Sequence, residues 1–215
     1  MSGDQKVDNV IQFYLLACRL KNLIRSGWGL YRVSAPRLES VAEHIFGTQM
    51  LAIGMALEFG YRVDLRKVLM MLAIHELGEV FVGDITIEDE VSKKEKSRKE
   101  MDSLERVLGD LASKEEIRGL FLEYEKGESD EAKFAKQIDK LEADLQVRIY
   151  DDGGFIEIPT EEQGVRGEII QEYYGRRGWK RVAEAWVDYD LSHAGYDETF
   201  RKVAETARDK KLEVT

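Results

Sequence analysis

A chain of 215 residues with 43% hydrophobic content can bury a core of its own, which excludes wholesale disorder. Its net charge of −10 argues against a general nucleic-acid binder, whose affinity comes largely from basic patches. The single cysteine, Cys18, excludes an internal disulfide and a cysteine-rich zinc site, and no apolar run approaches the span of a bilayer. The opening Met1-Ser2-Gly3-Asp4 lacks the basic start of a signal peptide, so a cytoplasmic protein with no nucleic-acid or membrane partner is expected.

Only two prolines against 34% charged residues favour helix nearly end to end. The apolar spacing predicts a first helix over Lys6–Ile24 with Val10, Tyr14, Ala17, Leu20 and Ile24 inward. Ser26-Gly27-Trp28-Gly29 should break it and lead into an extended piece reaching Pro36. A second helix is expected over Leu38–Phe59, stopped by Gly60, and a third over Leu65–Phe81, ending at Gly83. Ser92-Lys93-Lys94-Glu95 and Ser113-Lys114-Glu115-Glu116 read as capping boxes for helices over 93–111 and 114–126. A helix from Gly127-Glu128-Ser129 to Tyr150 follows, with Phe134, Ile138, Leu141, Leu145 and Ile149 as its core stripe. After the turn at Asp151–Gly154, strand character is confined to short pieces such as Phe155-Ile156-Glu157-Ile158. Thr160–Gln163 should cap a helix ending near Tyr174. Two more helices carry Trp179, Val182, Ala183 and Trp186, then Phe200, Val203 and Ala207. No repeat or linker composition interrupts the chain, so the fold class is all-α, a single bundle of roughly eight or nine helices.

Certain polar residues fall where core residues belong. His44 shares a face with Val41, Thr48, Leu51 and Met55. The run Val68–Ile74 is apolar nearly all round, as in a buried helix, yet it continues into His75, Glu76 and Glu79. Asp139 lies between Ala135 and Ala143, small residues that let a neighbour approach. Each of these alone has a plainer reading: a satisfied core histidine, glutamates at a solvated helix end, an aspartate paired with Lys136 or Lys140. Together, two histidines and two carboxylates match a mixed nitrogen–oxygen site for a divalent cation.

These residues carry a resemblance. Arg37-Leu38-Glu39-Ser40-Val41-Ala42-Glu43-His44, Leu72 through Ile85 and Glu131 through Lys140 follow the H…HD…D pattern of the HD-domain phosphohydrolase superfamily. Among its members the chain most resembles the HD-containing 5′-deoxynucleotidases, and Arg25-Ser26-Gly27-Trp28 is similar to that family's arginine–tryptophan segment. The likeness covers a motif-bearing core over residues 10–150, leaving a helical C-terminal extension over 160–212. It implies a single HD domain, a homodimer, and a metal-dependent enzyme that removes the 5′-phosphate from (deoxy)nucleoside monophosphates. His44, His75, Glu76 and Asp139 would hold one divalent cation, Mn²⁺, Co²⁺ or Mg²⁺ ahead of Zn²⁺, Fe²⁺ or Ni²⁺. A dinuclear centre of this superfamily needs further histidines, and only His193 remains. Glu76 departs from the family, which has aspartate there. His75-Glu76-Leu77-Gly78-Glu79 also half-resembles a zinc-protease HExxH but lacks the second histidine.

The resemblance also distributes roles. Arg25 would clamp the phosphate, since guanidinium meets phosphate bidentately; otherwise it is an arginine favoured at a helix C-terminus. Glu79, near His75, would exchange a proton with the leaving 5′-oxygen, or else orient a histidine. Asp84 would accept a bond from the sugar 3′-hydroxyl, or serve as a turn aspartate. Trp28 would wall the sugar pocket, or cover the bend after the first helix. Ser192-His193 and Cys18 form no catalytic constellation. A pyrophosphohydrolase or triphosphohydrolase would need clustered basic residues around these motifs, and a non-catalytic nucleotide-binding scaffold would make Glu76 the mark of a degraded site. Surplus aromatic stripes near the C-terminus are a further argument for a homodimer.

Overall fold

The structure is a computed structural model that describes residues 2–30, 32–86, 89, 91–156, 168, 172 and 178–212. The chain forms two compact units, Met1–Arg25 with Glu39–Lys136, and Ser26–Leu38 with Gln137–Thr215. Both are helical, and no strand is assigned among the described residues. None of their helices is long and apolar enough to cross a membrane. The expected piece over 157–158 and the helix expected from Thr160 to Tyr174 lie largely outside the described residues.

In the first unit, α1 (Gly3–Ala17) is capped by the Ser2 side chain, which accepts from the Gln5 amide. It gives way to a 3₁₀ turn over Cys18–Asn22, so the helix expected to Ile24 ends earlier. Of its expected inward face, Ala17 and Leu20 do face the core. Phe13, Leu16 and Ala17 pack toward Leu20, whereas Val10 and Tyr14 are exposed. An isolated antiparallel bridge pairs Ile24 with Ser40.

Ser40 then opens α3 (Val41–Phe59) with a complete capping box: its hydroxyl takes the Glu43 amide and the Glu43 carboxylate takes the Ser40 amide. Gly60, at φ 66°, closes the helix as expected, because the left-handed conformation suits a residue without Cβ. Asp64 caps α4 (Leu65–Ile74), which buries Val68, Met71 and Leu72 while Met70 and Ala73 stay exposed.

The helix expected to Phe81 stops at Ile74, and a 3₁₀ turn covers Leu77–Val80. Two contacts account for the break. The His75 ring hydrogen-bonds the Leu72 carbonyl at 2.8 Å, the acceptor a continuing α-helix would offer to the Glu76 amide. Gly78 lies so close to α5 (Lys93–Leu108) that a Cβ would sit 2.8 Å from Glu100 Cβ, a path only glycine allows.

Ser92 caps α5 through the Glu95 amide, the hydroxyl half of the capping box read from the sequence. By contrast, Ser113 makes no side-chain cap for α6 (Lys114–Lys126). The core of this unit gathers Leu20, Val41, Leu77, Val80, Leu104, Val107, Leu108 and Phe121. Thus the 3₁₀ turn carrying Glu79 is held by buried apolar neighbours on both sides of that residue.

The second unit contains α2 (Ser26–Leu30), a short helix where a glycine-rich break was expected. Trp28 explains it, since tertiary packing overrides weak propensity: its ring meets Tyr150 edge-on at 5.1 Å and stacks on Trp186 at 5.7 Å. α7 (Asp130–Asp152) gives its first residues to the first unit and the rest to this one. α8 (Val182–His193) and α9 (Glu198–Asp209) also belong to it.

Beyond Leu141, α7 turns a polar set inward. Arg148 is fully buried, donates to the Ala207 and Lys210 carbonyls at the end of α9, and pairs with Asp152 at 2.9 Å. Ile149, expected in the core stripe, is therefore exposed. The C-terminal aromatics are not surplus either, since Trp186, Tyr196 and Phe200 are all buried.

Asp144, also on α7 and fully buried, accepts the Tyr196 hydroxyl at 2.8 Å. Burial first, then the Asp190 carboxylate, push its carboxyl well above the ordinary value of 3.8, against the Tyr196 hydrogen bond. The folded state thus keeps a proton that the unfolded chain releases. Its stabilising share is complete below the unfolded value and is lost as pH rises through the folded one. Asp144→Asn is expected to flatten that fall in urea midpoints measured from pH 4 upward, and parallel curves for the two proteins would rule Asp144 out.

Candidate metal centre

His44 projects from the buried face of α3 and is fully enclosed. His75 caps the C-terminus of α4, and Glu76 follows at φ −100°, ψ 8°, off the helical path. The three side chains converge. Glu76 Oε1 lies 3.4 Å from His75 Nε2 and 3.8 Å from His44 Nε2, and the Arg25 guanidinium donates to the same oxygen at 3.2 Å. One ligand atom from each of the three falls within 4.8 Å of the others. The longer glutamate side chain thus brings its carboxylate to both imidazoles.

The donor set fits a divalent cation. The hydrogen bond from His75 Nδ1 to the Leu72 carbonyl places the ring proton on Nδ1, so in the neutral ring Nε2 presents a lone pair. A lone pair facing a carboxylate oxygen at 3.4 Å calls for a proton or a metal ion between them. Fixing the imidazole through its other nitrogen is also how metal-ligating histidines are oriented. Burial by itself would raise the Glu76 carboxyl, but His75 when protonated, Arg25 and His44 when protonated outweigh it and hold the group well below the usual range, as a carboxylate.

Glu79 sits on the 3₁₀ turn, 3% exposed, and its Oε2 has no hydrogen-bond partner among the described residues. Burial first, and then the charges of Glu76 and Asp84, push its carboxyl well above the usual range against the pull of Arg25 and Lys96. A buried carboxyl whose hold on its proton is strengthened in this way has the character of a general acid. Asp84 follows Gly83, whose φ of 81° turns the backbone, and is half-buried within the electrostatic reach of Glu79 and Lys96.

Lys96, on α5, has no counterpart in the sequence reading. Its ammonium donates to the Ile85 carbonyl at 2.8 Å and stands 3.5 Å from Glu100. Burial would lower it, yet Glu100, Glu79, Glu76 and Asp84 raise it, so it stays charged. The signal was out of reach of pattern reading, because Lys93, Lys94, Lys96 and Lys99 look alike in a charged helix.

The remaining candidates, Asp139 and Trp28, lie in the second unit, as does His193. Asp139 is half-buried on α7 between the buried Ala135 and Ala143. Trp28 is 2% exposed within the aromatic core described above. His193, at the end of α8, stacks on Tyr189 and hydrogen-bonds its carbonyl at 2.7 Å.

An imidazole–carboxylate cluster carried on helices is the class of site seen here, and comparison with known proteins gives the family of the chain. The chain matches the HD domain family over residues 17–172 and belongs to that family. The 5′-deoxynucleotidase HDDC2 of Danio rerio is 35% identical over 148 residues, covering 68% of this chain and 72% of the relative. The 5′-deoxynucleotidase HDDC2 of Xenopus laevis is 32% identical over 203 residues, covering 93% of this chain and 92% of the relative. Among solved structures, a conserved hypothetical protein from Pyrococcus furiosus superposes with a TM-score of 0.64 at 26% identity, covering 92% of this chain and 98% of that one.

Proposed function

We propose that the chain is a metal-dependent phosphohydrolase that removes the 5′-phosphate from deoxynucleoside monophosphates. The observation that carries this reading is the meeting of His44 Nε2, His75 Nε2 and Glu76 Oε1. Asp139 is the proposed fourth ligand, supported by its place in the Glu131–Lys140 block within the family match. A divalent cation held there supplies a water of lowered pKa and positive charge for the phosphoryl oxygens.

The chain's own groups do the rest. Arg25, already paired with the ligand carboxylate, is positioned to take a phosphate oxygen that approaches the centre. As the oxygen of water bonds to phosphorus and the bond from phosphorus to O5′ breaks, protonated Glu79 would give its proton to O5′, so that the sugar leaves as an alcohol rather than an alkoxide. The Asp84 carboxylate accepts the 3′-hydroxyl, which favours nucleotides with phosphate at 5′ rather than 3′. Trp28 is the proposed wall of the sugar pocket, supported by its place in the Arg25-Ser26-Gly27-Trp28 segment.

The relatives' names, the lone cysteine and the acidic charge together support a cytoplasmic enzyme of nucleotide metabolism working as one HD domain. A homodimer is also proposed, now on different grounds: Phe46, Met50 and Leu57 leave an apolar stripe exposed on α3. Sedimentation should give twice the chain mass, and a monomer at micromolar concentration would contradict it.

The substrate reading is tested by phosphate release from matched deoxy- and ribonucleoside mono-, di- and triphosphates. Deoxynucleoside 5′-monophosphates are expected to be the best, by a margin of about 1–3 kcal/mol over ribonucleotides, the range that pocket shape provides. Preferred cleavage of triphosphates, or no release from any nucleotide, would overturn it.

A further inference from the structure

One face of α5 runs along the segment that carries Glu79 and Asp84, and it touches that segment at three places one turn apart. Glu100 backs Gly78 at a distance that leaves no room for a Cβ. The Ser103 hydroxyl accepts the Phe81 amide at 3.2 Å, while the Arg106 guanidinium lies over the Phe81 ring at 3.6 Å. Lys96 Nζ donates to the Ile85 carbonyl at 2.8 Å. Residues 96, 100, 103 and 106 recur at three- and four-residue steps, so a single helical stripe makes all of these contacts.

The contacts differ in what they hold. Glu100 and Ser103 fix the 3₁₀ turn, which apolar burial at Leu77 and Val80 already anchors. Lys96 is the outermost, and it acts beyond Gly83, where the backbone has left the core and Asp84 begins. The carbonyl it holds belongs to the residue directly after Asp84. A charge-assisted bond to that carbonyl restricts the peptide and with it the direction of the Asp84 side chain.

We propose that Lys96 is a positioning residue of this enzyme: by holding the Ile85 carbonyl it sets where the Asp84 carboxylate meets the sugar of the substrate. The inference rests on the reading of Asp84 as the acceptor of the sugar hydroxyl. Lys96 touches neither the phosphate nor the reacting bond in this role. Its side chain is 38% exposed, so its removal should cost the fold little.

The test is a double-mutant cycle of Lys96→Met and Asp84→Asn on the metal-loaded, full-length protein. It is assayed with a deoxynucleoside 5′-monophosphate and with p-nitrophenyl phosphate, which has no sugar. Lys96→Met should lower kcat/KM for the nucleotide roughly ten- to hundredfold, the usual effect of a misplaced contact, and leave p-nitrophenyl phosphate nearly unchanged. Lys96→Arg should retain most nucleotide activity, and the double variant should be no worse than the poorer single one. Hydrogen exchange at the Gly83–Thr86 amides should quicken in Lys96→Met at an unchanged melting temperature. Equal losses on both substrates, or additive losses in the cycle, would overturn the role given to Lys96. Wild-type nucleotide kinetics in Asp84→Asn would instead remove the sugar contact itself, and the Lys96 role with it.

Discussion

Glu76→Gln is expected to remove nearly all phosphatase activity, by about 10²-fold or more, because a metal's share of transition-state stabilisation is worth several kcal/mol. The structure makes Glu76 Oε1 the point where both histidines and Arg25 converge. A neutral amide is a poor partner for a hard cation, and it leaves the ion's charge less compensated in a site of low dielectric. Glu76→Asp returns the family residue but shortens the reach by one methylene against a backbone set for glutamate. It should retain measurable activity with an altered metal preference. The melting temperature provides a second readout, since a ligand that binds only the folded state stabilises it by mass action. Added cation should stabilise wild type and Glu76→Asp but leave Glu76→Gln unmoved. Full activity and metal content in Glu76→Gln would leave a centre of His44, His75 and Asp139 alone.

Glu79→Gln is expected to lower kcat by about 10²–10⁴-fold, the range for general acid catalysis, while metal content stays at the wild-type level. The variant keeps the size of the side chain and removes only the transferable proton. Leaving-group chemistry separates this from a loss of structure. A nucleoside alkoxide needs protonation as it departs, whereas p-nitrophenolate is stable enough to leave without it. Glu79→Gln should therefore recover much of its activity on p-nitrophenyl phosphate relative to nucleotide. Equal impairment on the two substrates would mean that Glu79 orients a neighbour instead of supplying a proton.

The meeting of His44, His75 and Glu76 was legible because polar groups at core positions of helices are constrained by both spacing and chemistry. His44 sits among apolar residues at helical steps, and His75-Glu76 ends a helix with scarcely a polar face, so neither could be dismissed as surface. Helix ends set by local chemistry were legible for the same reason, as Gly60 and Ser92 illustrate. What escaped depends on contacts between distant residues. The early end of α4 comes from the His75 ring taking the Leu72 carbonyl and from Glu100 crowding Gly78. The helical turn around Trp28 forms despite two glycines, because Tyr150 and Trp186 lie far along the chain and bury the indole. Asp144 and Arg148 lie on a helix rich in charged residues, and only the fold supplies their partners, Tyr196 and the end of α9. Lys96 escaped in the same way, since only the fold tells it from the lysines beside it.

The central claim is that one divalent cation, held by this cluster, makes the chain a phosphatase. Stepwise titration of chelator-stripped protein with Mn²⁺ or Co²⁺, following bound metal and phosphate release from a deoxynucleoside 5′-monophosphate in the same samples, tests it most directly. The stripped protein should be inactive, and activity should rise with bound metal and level off near about one equivalent per chain, as a single mixed nitrogen–oxygen site requires. Undiminished activity without metal, a plateau only at two equivalents, or tight binding with no hydrolysis would contradict the account.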